Sequence, residues 1–336
     1  VDCLASFWAR GGALELRAHL LGADAVLWQA AKEKATFAAR GRVLLTPRPP
    51  ELCSVSLRQM REMYLAREDW FQALRQCRST KEYGRPTMYD VREEIIEPLT
   101  RQSGLAFAEL YPPQPAEVFA VHAWSQEFGD LLAALELHGR ETCAGGDDWR
   151  ERGCWVCAFA VSQHAVELGA TLQRSAFYAA MSSSACTSAA VVIDGAHRFF
   201  SRSWCLLETA CALKLGLTVD LCTSGGMLNR LSRSRLQKER EQVARLLLRA
   251  DPQAASAAEE QDAAWIAAAS EGAEVRRALR QLAGTAYGLG EVLAPLQDLV
   301  TRQPVSPLQS ELLAPATVVG EFGGAGSSAE LAGSAA

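Results

Sequence analysis

The 336-residue sequence lacks any apolar run close to the roughly 20 residues that a membrane-spanning helix requires. Its first residues also lack a positively charged start followed by a sustained apolar stretch, so they do not indicate a secretory signal. Basic residues are not in surplus, because 34 Lys and Arg stand against 39 Asp and Glu, for a formal net charge of -5. We therefore expect neither insertion into a membrane nor nucleic-acid binding.

The short motifs of several large enzyme classes are missing as well. The sequence has no GxxxxGK[ST] phosphate loop, no GxGxxG after the first predicted strand of the α/β region and no GxSxG nucleophile elbow. These absences disfavour an ATPase, a dehydrogenase and an α/β-hydrolase. Cys154 and Cys157 form one CxxC, but no second CxxC or His pair completes a zinc site. We place both in a strand and predict structural burial, without a metal.

Cysteines are present, and their distribution is informative. Ten of them are scattered over a long chain, whereas disulfide scaffolds are short and dense in cysteine. The pattern predicts reduced, mostly buried thiols and a cytoplasmic protein.

The chain is long enough for about two domains, and its composition divides it into four regions. We predict a helical region over 1–110, an α/β domain over 111–225, a second helical region over 226–313 and a disordered Gly/Ser/Ala tail over 314–336. The segment YPPQP at 111–115 is the predicted boundary of the α/β domain, because each proline stiffens the chain.

In the α/β region, short apolar runs alternate with amphipathic segments. The predicted strands are 117–124, 154–161, 188–194 and 217–223, and the predicted helices are 126–137, 163–172 and 203–215. This alternation is typical of a doubly wound parallel sheet with helices on both faces. Among the flanking helices we predict one from an N-cap at Ser54 to Cys77 and one over 227–249.

Ligands of open parallel sheets bind at the carboxyl ends of the strands, near the point where the strand order reverses. Several polar or aromatic residues end the predicted strands, follow them or lie in the next helix: His122, Trp124, Gln163, His164, Asp194, His197 and Glu208. Three of the five histidines are in this set. We therefore expect the functional site at this rim of the sheet.

Each of these residues also has a simpler interpretation. His122 lies in an apolar strand, where a satisfied core histidine is more common than a catalytic one. Asp194 is suited to capping the turn that follows it, and His197 to a solvent-facing loop. Glu208 lies in the apolar helix WCLLETACAL, where a carboxylate needs either a partner or a cleft. A metal site formed by His122, Asp194 and His197 is a third alternative.

Three segments resemble a known family. VFAVHAWSQEFGDLLAAL (118–135) is similar to the first strand and helix of Toll/interleukin receptor (TIR) domains, and SRSWCLLETACAL (201–213) to their Ser-x-Trp-Cys-x-x-Glu signature, with Arg202 in place of the Ser. CWVCAFAVSQ (154–163) resembles a strand of the related heterokaryon-incompatibility domains. Comparable arrangements occur in families of unicellular eukaryotes. The resemblance covers about a third of the chain and implies a flavodoxin-like fold with helical extensions.

The resemblance implies two functions. Some TIR domains cleave NAD at its nicotinamide ribosyl bond with the glutamate of the signature helix, which here is Glu208. NAD is then a substrate and no cofactor is required, and the predicted substrate-binding residues are His122, Trp124, Gln163, Asp194, His197 and Trp204. Other TIR domains only associate with themselves or with protein partners, which gives a non-catalytic interaction module as the alternative. Val121 and Cys157 depart from the family pattern, which has Ser and Asp there.

Overall fold

The structure is a computed structural model of the chain. It describes residues 26–39, 48–78, 85–143, 148–164, 169–228, 237–257, 260–269 and 272–287. The predicted tail over 314–336 lies outside these residues, as do the first 25 positions.

A six-stranded mixed sheet forms the centre of the fold. Its strands are β1 (Val55–Ser56), β2 (Val118–His122), β3 (Gly153–Trp155), β4 (Ser188–Val192), β5 (Thr218–Thr223) and β6 (Gly226–Met227). They are arranged in the order β1-β3-β2-β4-β5-β6, in which the four central strands are parallel and the two edge strands antiparallel. All residues of β2 and β4 are buried, as expected when helices cover both faces of a parallel sheet. The predicted α/β class is confirmed.

Helices surround this sheet. They are α1 (Val26–Ala39), α2 (Leu57–Ala66), α3 (Glu68–Arg78), α4 (88–100, with a π-helical turn at Arg92–Ile96), α5 (Phe128–Thr142), α6 (Cys157–Ala160), α7 (Ala176–Ser182), α8 (Ser203–Lys214), α9 (Gln237–Arg249), α10 (Glu260–Ala269) and α11 (Gly272–Tyr287). Among the described helices, none combines the length and apolar character that a membrane crossing requires.

Helices α5 and α8 cover opposite faces of the sheet. Strand β3 follows β2 in the chain and lies between β2 and the β1 edge of the sheet. Strand β5 follows β4 and lies between β4 and the opposite edge, that of β6. Because parallel crossovers are right-handed, reversing the direction of travel moves the connecting helix to the other face. Both helices pack against β4 and β5, which is compatible with opposite faces. The winding therefore reverses between β2 and β4.

The strand predicted over 154–161 is wrong in its second half. Strand β3 ends at Trp155, and Cys157–Ala160 forms the short helix α6. Periodicity cannot separate a short buried strand from a buried helix, and the two alanines of CAFA favour the helix. Of the helix predicted over 163–172, the described residues are not α-helical, and a 3-10 turn occupies Leu172–Arg174.

The single helix predicted from Ser54 to Cys77 is two helices that break at Arg67, and its N-cap is Ser56. The Ser56 hydroxyl accepts from the Gln59 backbone N–H, and the Gln59 side chain accepts from the Ser56 N–H, which completes a capping box. Residues 55 and 56 also pair with β3, so the sheet receives an edge strand from the region before the proline-rich segment.

The helix predicted over 227–249 begins later, at Gln237, because Gly226 and Met227 pair with β5 as strand β6. Residues 229–236 lie outside the described part of the chain.

Of the eight described cysteines, six are buried and two, Cys143 and Cys157, are half-buried. Burial raises the pKa of Cys154 and of Cys211 to about 12, so both thiols keep their protons at neutral pH. The prediction of mostly buried thiols is confirmed for these residues. They pack as small apolar side chains.

Candidate functional site

Glu208 lies in the middle of α8, with only 8% of its surface exposed. Helix α8 contacts β2, β4 and β5 on one side and α10 and α11 on the other, so a side chain at its centre is buried. Its carboxyl group has no hydrogen-bond or ion-pair partner among the described residues. Burial alone raises its pKa from 4.5 to about 8. Burial of a carboxyl group without a partner destabilises the folded state, so its presence marks Glu208 as a candidate functional residue.

Three thiols surround this carboxyl group. Cys205 and Cys211 flank it on α8, three residues away on either side, and Cys157 begins α6. For each thiol, burial is the main cause of a raised pKa, and the Glu208 carboxylate raises it further. The environment of Glu208 is therefore one of weakly polar, protonated groups that do not neutralise a charge.

A second carboxylate, that of Asp262 on α10, lies near Cys157. After burial and Glu208, it is the third cause of the raised pKa of Cys157. Asp262 also accepts a hydrogen bond of 2.8 Å from Trp204 Nε1. The sequence interpretation missed Asp262, because nothing in its own segment indicates which part of the chain it contacts.

Trp204, predicted to bind substrate, lies in an aromatic cluster. Its ring stacks on Trp265 of α10 at a centroid distance of 5.4 Å and meets Phe177 of α7 edge-on at 5.6 Å. The Trp265 indole N–H donates to the Gly169 carbonyl at 2.9 Å. Trp204 thus helps to fix α10, and Asp262 with it, against α8.

His122 lies on the other face of the sheet. Ala120, two residues earlier on β2, points to the same face as His122. In the strand register Ala120 is aligned, through β4, with Asp220 of β5. Asp220 contacts His138 of α5 at 3.1 Å, so this is the face that α5 covers. His122 therefore faces α5, whereas Glu208 belongs to α8. Burial lowers the His122 pKa to about 4, so the ring is neutral. Its Nε2 has no hydrogen-bond partner in the described part of the chain, and its Nδ1 is 3.4 Å from the Ala123 carbonyl.

Asp194 caps the turn after β4, which is the simpler of its two interpretations. Its Oδ1 accepts from the Arg198 backbone N–H at 2.7 Å, and its Oδ2 is 3.7 Å from the Arg198 guanidinium. Arg198 also donates to the Ser125 carbonyl at 2.6 Å, and so connects the loops after β4 and β2 where the winding reverses. His197 adopts a left-handed backbone conformation with φ of 57°, and its ring centroid lies 6.4 Å from that of Phe200.

The other two predicted substrate-binding residues make contacts outside the Glu208 region. Trp124 packs edge-on against Tyr89 of α4, with ring centroids 5.5 Å apart. Gln163 donates to the Val161 carbonyl of its own loop at 2.8 Å. His164 contacts the Thr100 hydroxyl at 2.8 Å. The described residues include no group of three or more His, Cys, Asp or Glu that is placed to hold a metal ion.

The sequence interpretation also missed a buried pair, His138 of α5 and Asp220 of β5. Each is 1% exposed, and they join the helix to the sheet at 3.1 Å. The signal was present, because an aspartate inside the apolar strand TVDLCT requires a partner.

Comparison of the chain with models of protein families, with curated proteins and with solved structures found no match in any of the three.

Proposed function

We propose that the chain contains a TIR-like signalling domain that cleaves NAD at the nicotinamide ribosyl bond, with Glu208 as the catalytic residue. The observation that carries the proposal is the buried carboxyl group on α8, which has no partner among the described residues. No contact with the described residues stabilises its charge, and the proposed role explains why the fold retains it.

The strand order supports the proposal. Numbered from β2, the four parallel strands follow the order 2-1-3-4, which is that of flavodoxin-like sheets. The Trp-Cys-x-x-Glu element belongs to the helix after the third of these strands, the position that it has in the family. The antiparallel strands β1 and β6 are additions of this chain.

In the proposed reaction the bond between ribose C1′ and the nicotinamide nitrogen breaks, and its electron pair leaves with nicotinamide. Water adds to C1′ and one proton is released. The ribosyl group passes through a cationic, oxocarbenium-like state, which a nearby carboxylate stabilises. Because a positive charge beside a carboxyl group lowers its pKa, the cationic substrate favours the ionised form of Glu208.

Asp262 accounts for one departure from the family pattern. Cys157 occupies the position at which the related strand has Asp, and the Asp262 carboxylate is near enough to raise the pKa of that thiol. We propose that Asp262 supplies the acidic group that position 157 lacks.

The contacts of Trp204 favour a second candidate, the non-catalytic interaction module. An indole that stacks on Trp265 and donates to Asp262 is already engaged within the fold. In this case the domain binds protein partners or further copies of itself, and Glu208 has no substrate.

Nicotinamide release from NAD distinguishes the two candidates. We expect release by the parent protein, loss of at least 100-fold in Glu208→Gln, and no change in Glu93→Gln, whose carboxylate is 59% exposed on α4. The rate should rise with pH towards about 8, because only the ionised carboxylate is active. Absence of release at every protein concentration tested, from dilute to concentrated solution, would eliminate the enzymatic proposal.

A further inference from the structure

A groove with a volume of about 500 Å³ lies between α2, α5 and the 3-10 turn Trp149–Glu151. Its lining combines apolar side chains with charged ones: Leu57, Arg58, Arg61, Glu62, Leu65, Glu136, Arg140, Trp149 and Arg150. The volume is in the range of small-molecule sites. Because α5 and α8 cover opposite faces of the sheet, this groove is separate from Glu208.

Arginines are the exposed charged residues in the lining of the groove, although the whole chain is acidic and Asp148 and Glu151 pair with them at its edge. Its two glutamates, Glu62 and Glu136, are each 6% exposed. Its four arginine side chains are between 41% and 55% exposed. A ligand in the groove therefore meets guanidinium groups and apolar surface first.

Two of the arginines are largely neutralised by neighbouring carboxylates. Arg58 pairs with Asp148 at 2.9 Å and contacts Glu151. Arg61 donates twice to Glu136, with Nε at 2.7 Å. These two side chains define the wall of the groove formed by α2.

Arg140 and Arg150 are paired with carboxylates at longer distances. Arg140 is 3.8 Å from Glu136, and Arg150 is 3.4 Å from Asp148, distances longer than those of good ionic hydrogen bonds. Both guanidinium groups lie 4.6 Å from the centre of the Trp149 ring. They are consequently closer to each other than the screening length of about 10 Å in 0.1 M salt, and they repel. An anion that contacts both guanidinium groups would relieve this repulsion.

We propose that this groove binds a phosphate monoester with an apolar body. The phosphate group carries about -1.5 to -2 charges at neutral pH and accepts bidentate hydrogen bonds from guanidinium groups, here those of Arg140 and Arg150. The apolar body contacts Leu65, because Leu57 also lines the groove but is only 1% exposed. A bare phosphate ion fills only a small part of the groove, so the ligand requires both parts.

Binding of 1-naphthyl phosphate tests the proposal, with inorganic phosphate and 1-naphthol as the probes that each lack one part. Calorimetry should show tighter binding of the complete probe than of either part, weakened at least tenfold when NaCl is raised from about 0.05 to 0.5 M. Arg140→Gln should weaken it at least tenfold, and Arg140→Lys should restore part of the loss. Circular dichroism establishes that each variant is folded.

Arg245→Gln is the matched control. Like Arg140, Arg245 is 52% exposed and makes a long pairing with a glutamate four residues earlier, at 3.7 Å, but it lies on α9. Its replacement should leave binding unchanged, and so should Glu208→Gln, which separates this site from the proposed enzymatic one. No binding of the probe, equal binding of inorganic phosphate, or equal losses in the Arg140 and Arg245 variants would overturn the proposal.

Discussion

Replacing Glu208 by Gln should stabilise the protein, and the gain should depend on pH. Below the ordinary pKa of 4.5 the carboxyl group is protonated in both the folded and the unfolded state, so its ionisation contributes nothing. Between 4.5 and about 8 the unfolded state ionises while the folded state keeps its proton. The parent protein therefore loses stability as the pH rises through this window, whereas the amide introduced by Glu208→Gln does not titrate.

The size of the effect follows from the pKa difference. One pKa unit corresponds to about 1.4 kcal/mol, so at pH 7 the ionisation of the unfolded state costs the parent up to about 3 kcal/mol. At pH 5 the same cost is below about 1 kcal/mol. Urea unfolding at both pH values should therefore show that the stabilisation by Glu208→Gln grows by about 2.5 kcal/mol between them.

Glu136→Gln provides the matched control. Glu136 is about as buried as Glu208, at 6% against 8%, and lies on a helix that also packs against β4 and β5, but it is paired with Arg61. Its replacement should lower the free energy of unfolding by about 1 to 2 kcal/mol, because a charged hydrogen-bonded pair is lost. A Glu208→Gln effect that is the same at pH 5 and pH 7 would refute the reasoning, since it would mean that a bound group neutralises the carboxylate.

Two further predictions concern the sheet. Asp220→Leu should destabilise the protein by about 3 kcal/mol because it leaves His138 buried without its carboxylate. Adding His138→Leu should recover part of that loss, and a double variant that is destabilised by the sum of the two single effects would exclude a coupled pair. Gly153→Ala should lower the melting temperature, because a Cβ there would overlap the Pro115 carbonyl oxygen. Gly195→Ala should leave the melting temperature nearly unchanged, because a Cβ there would have no atom within 4 Å. Equal shifts in the two variants would disprove the steric explanation.

The strands and helices that the sequence predicted well are those with an unambiguous local signal. Strands β2, β4 and β5 are short apolar runs, rich in valine in β2 and β4, and helix α8 was predicted within one residue of Ser203–Lys214. The segment Cys154–Val161 gave no such signal, because an apolar run of eight residues fits a buried strand and a buried helix equally well.

The pairing of Val55–Ser56 with β3 could not be predicted either. Two residues are too few to show the alternating pattern of a strand, and the partner strand is about a hundred positions away in the chain. The capping box of Ser56 and Gln59 was present in the sequence, but Ser54 offered a competing N-cap two residues earlier. Only the pairing with the sheet decides between the two serines.

The same distinction applies to the candidate site. The sequence by itself determined that a glutamate is present within an apolar helix that follows a buried strand, because burial of α8 depends on the composition of that segment. Only the tertiary structure decided that the carboxyl group of Glu208 has no described partner, that His122 faces α5, and that Asp262 lies beside Cys157. These facts depend on which distant segments pack together, and a local pattern of residues carries no information about the segment on the other side of a contact.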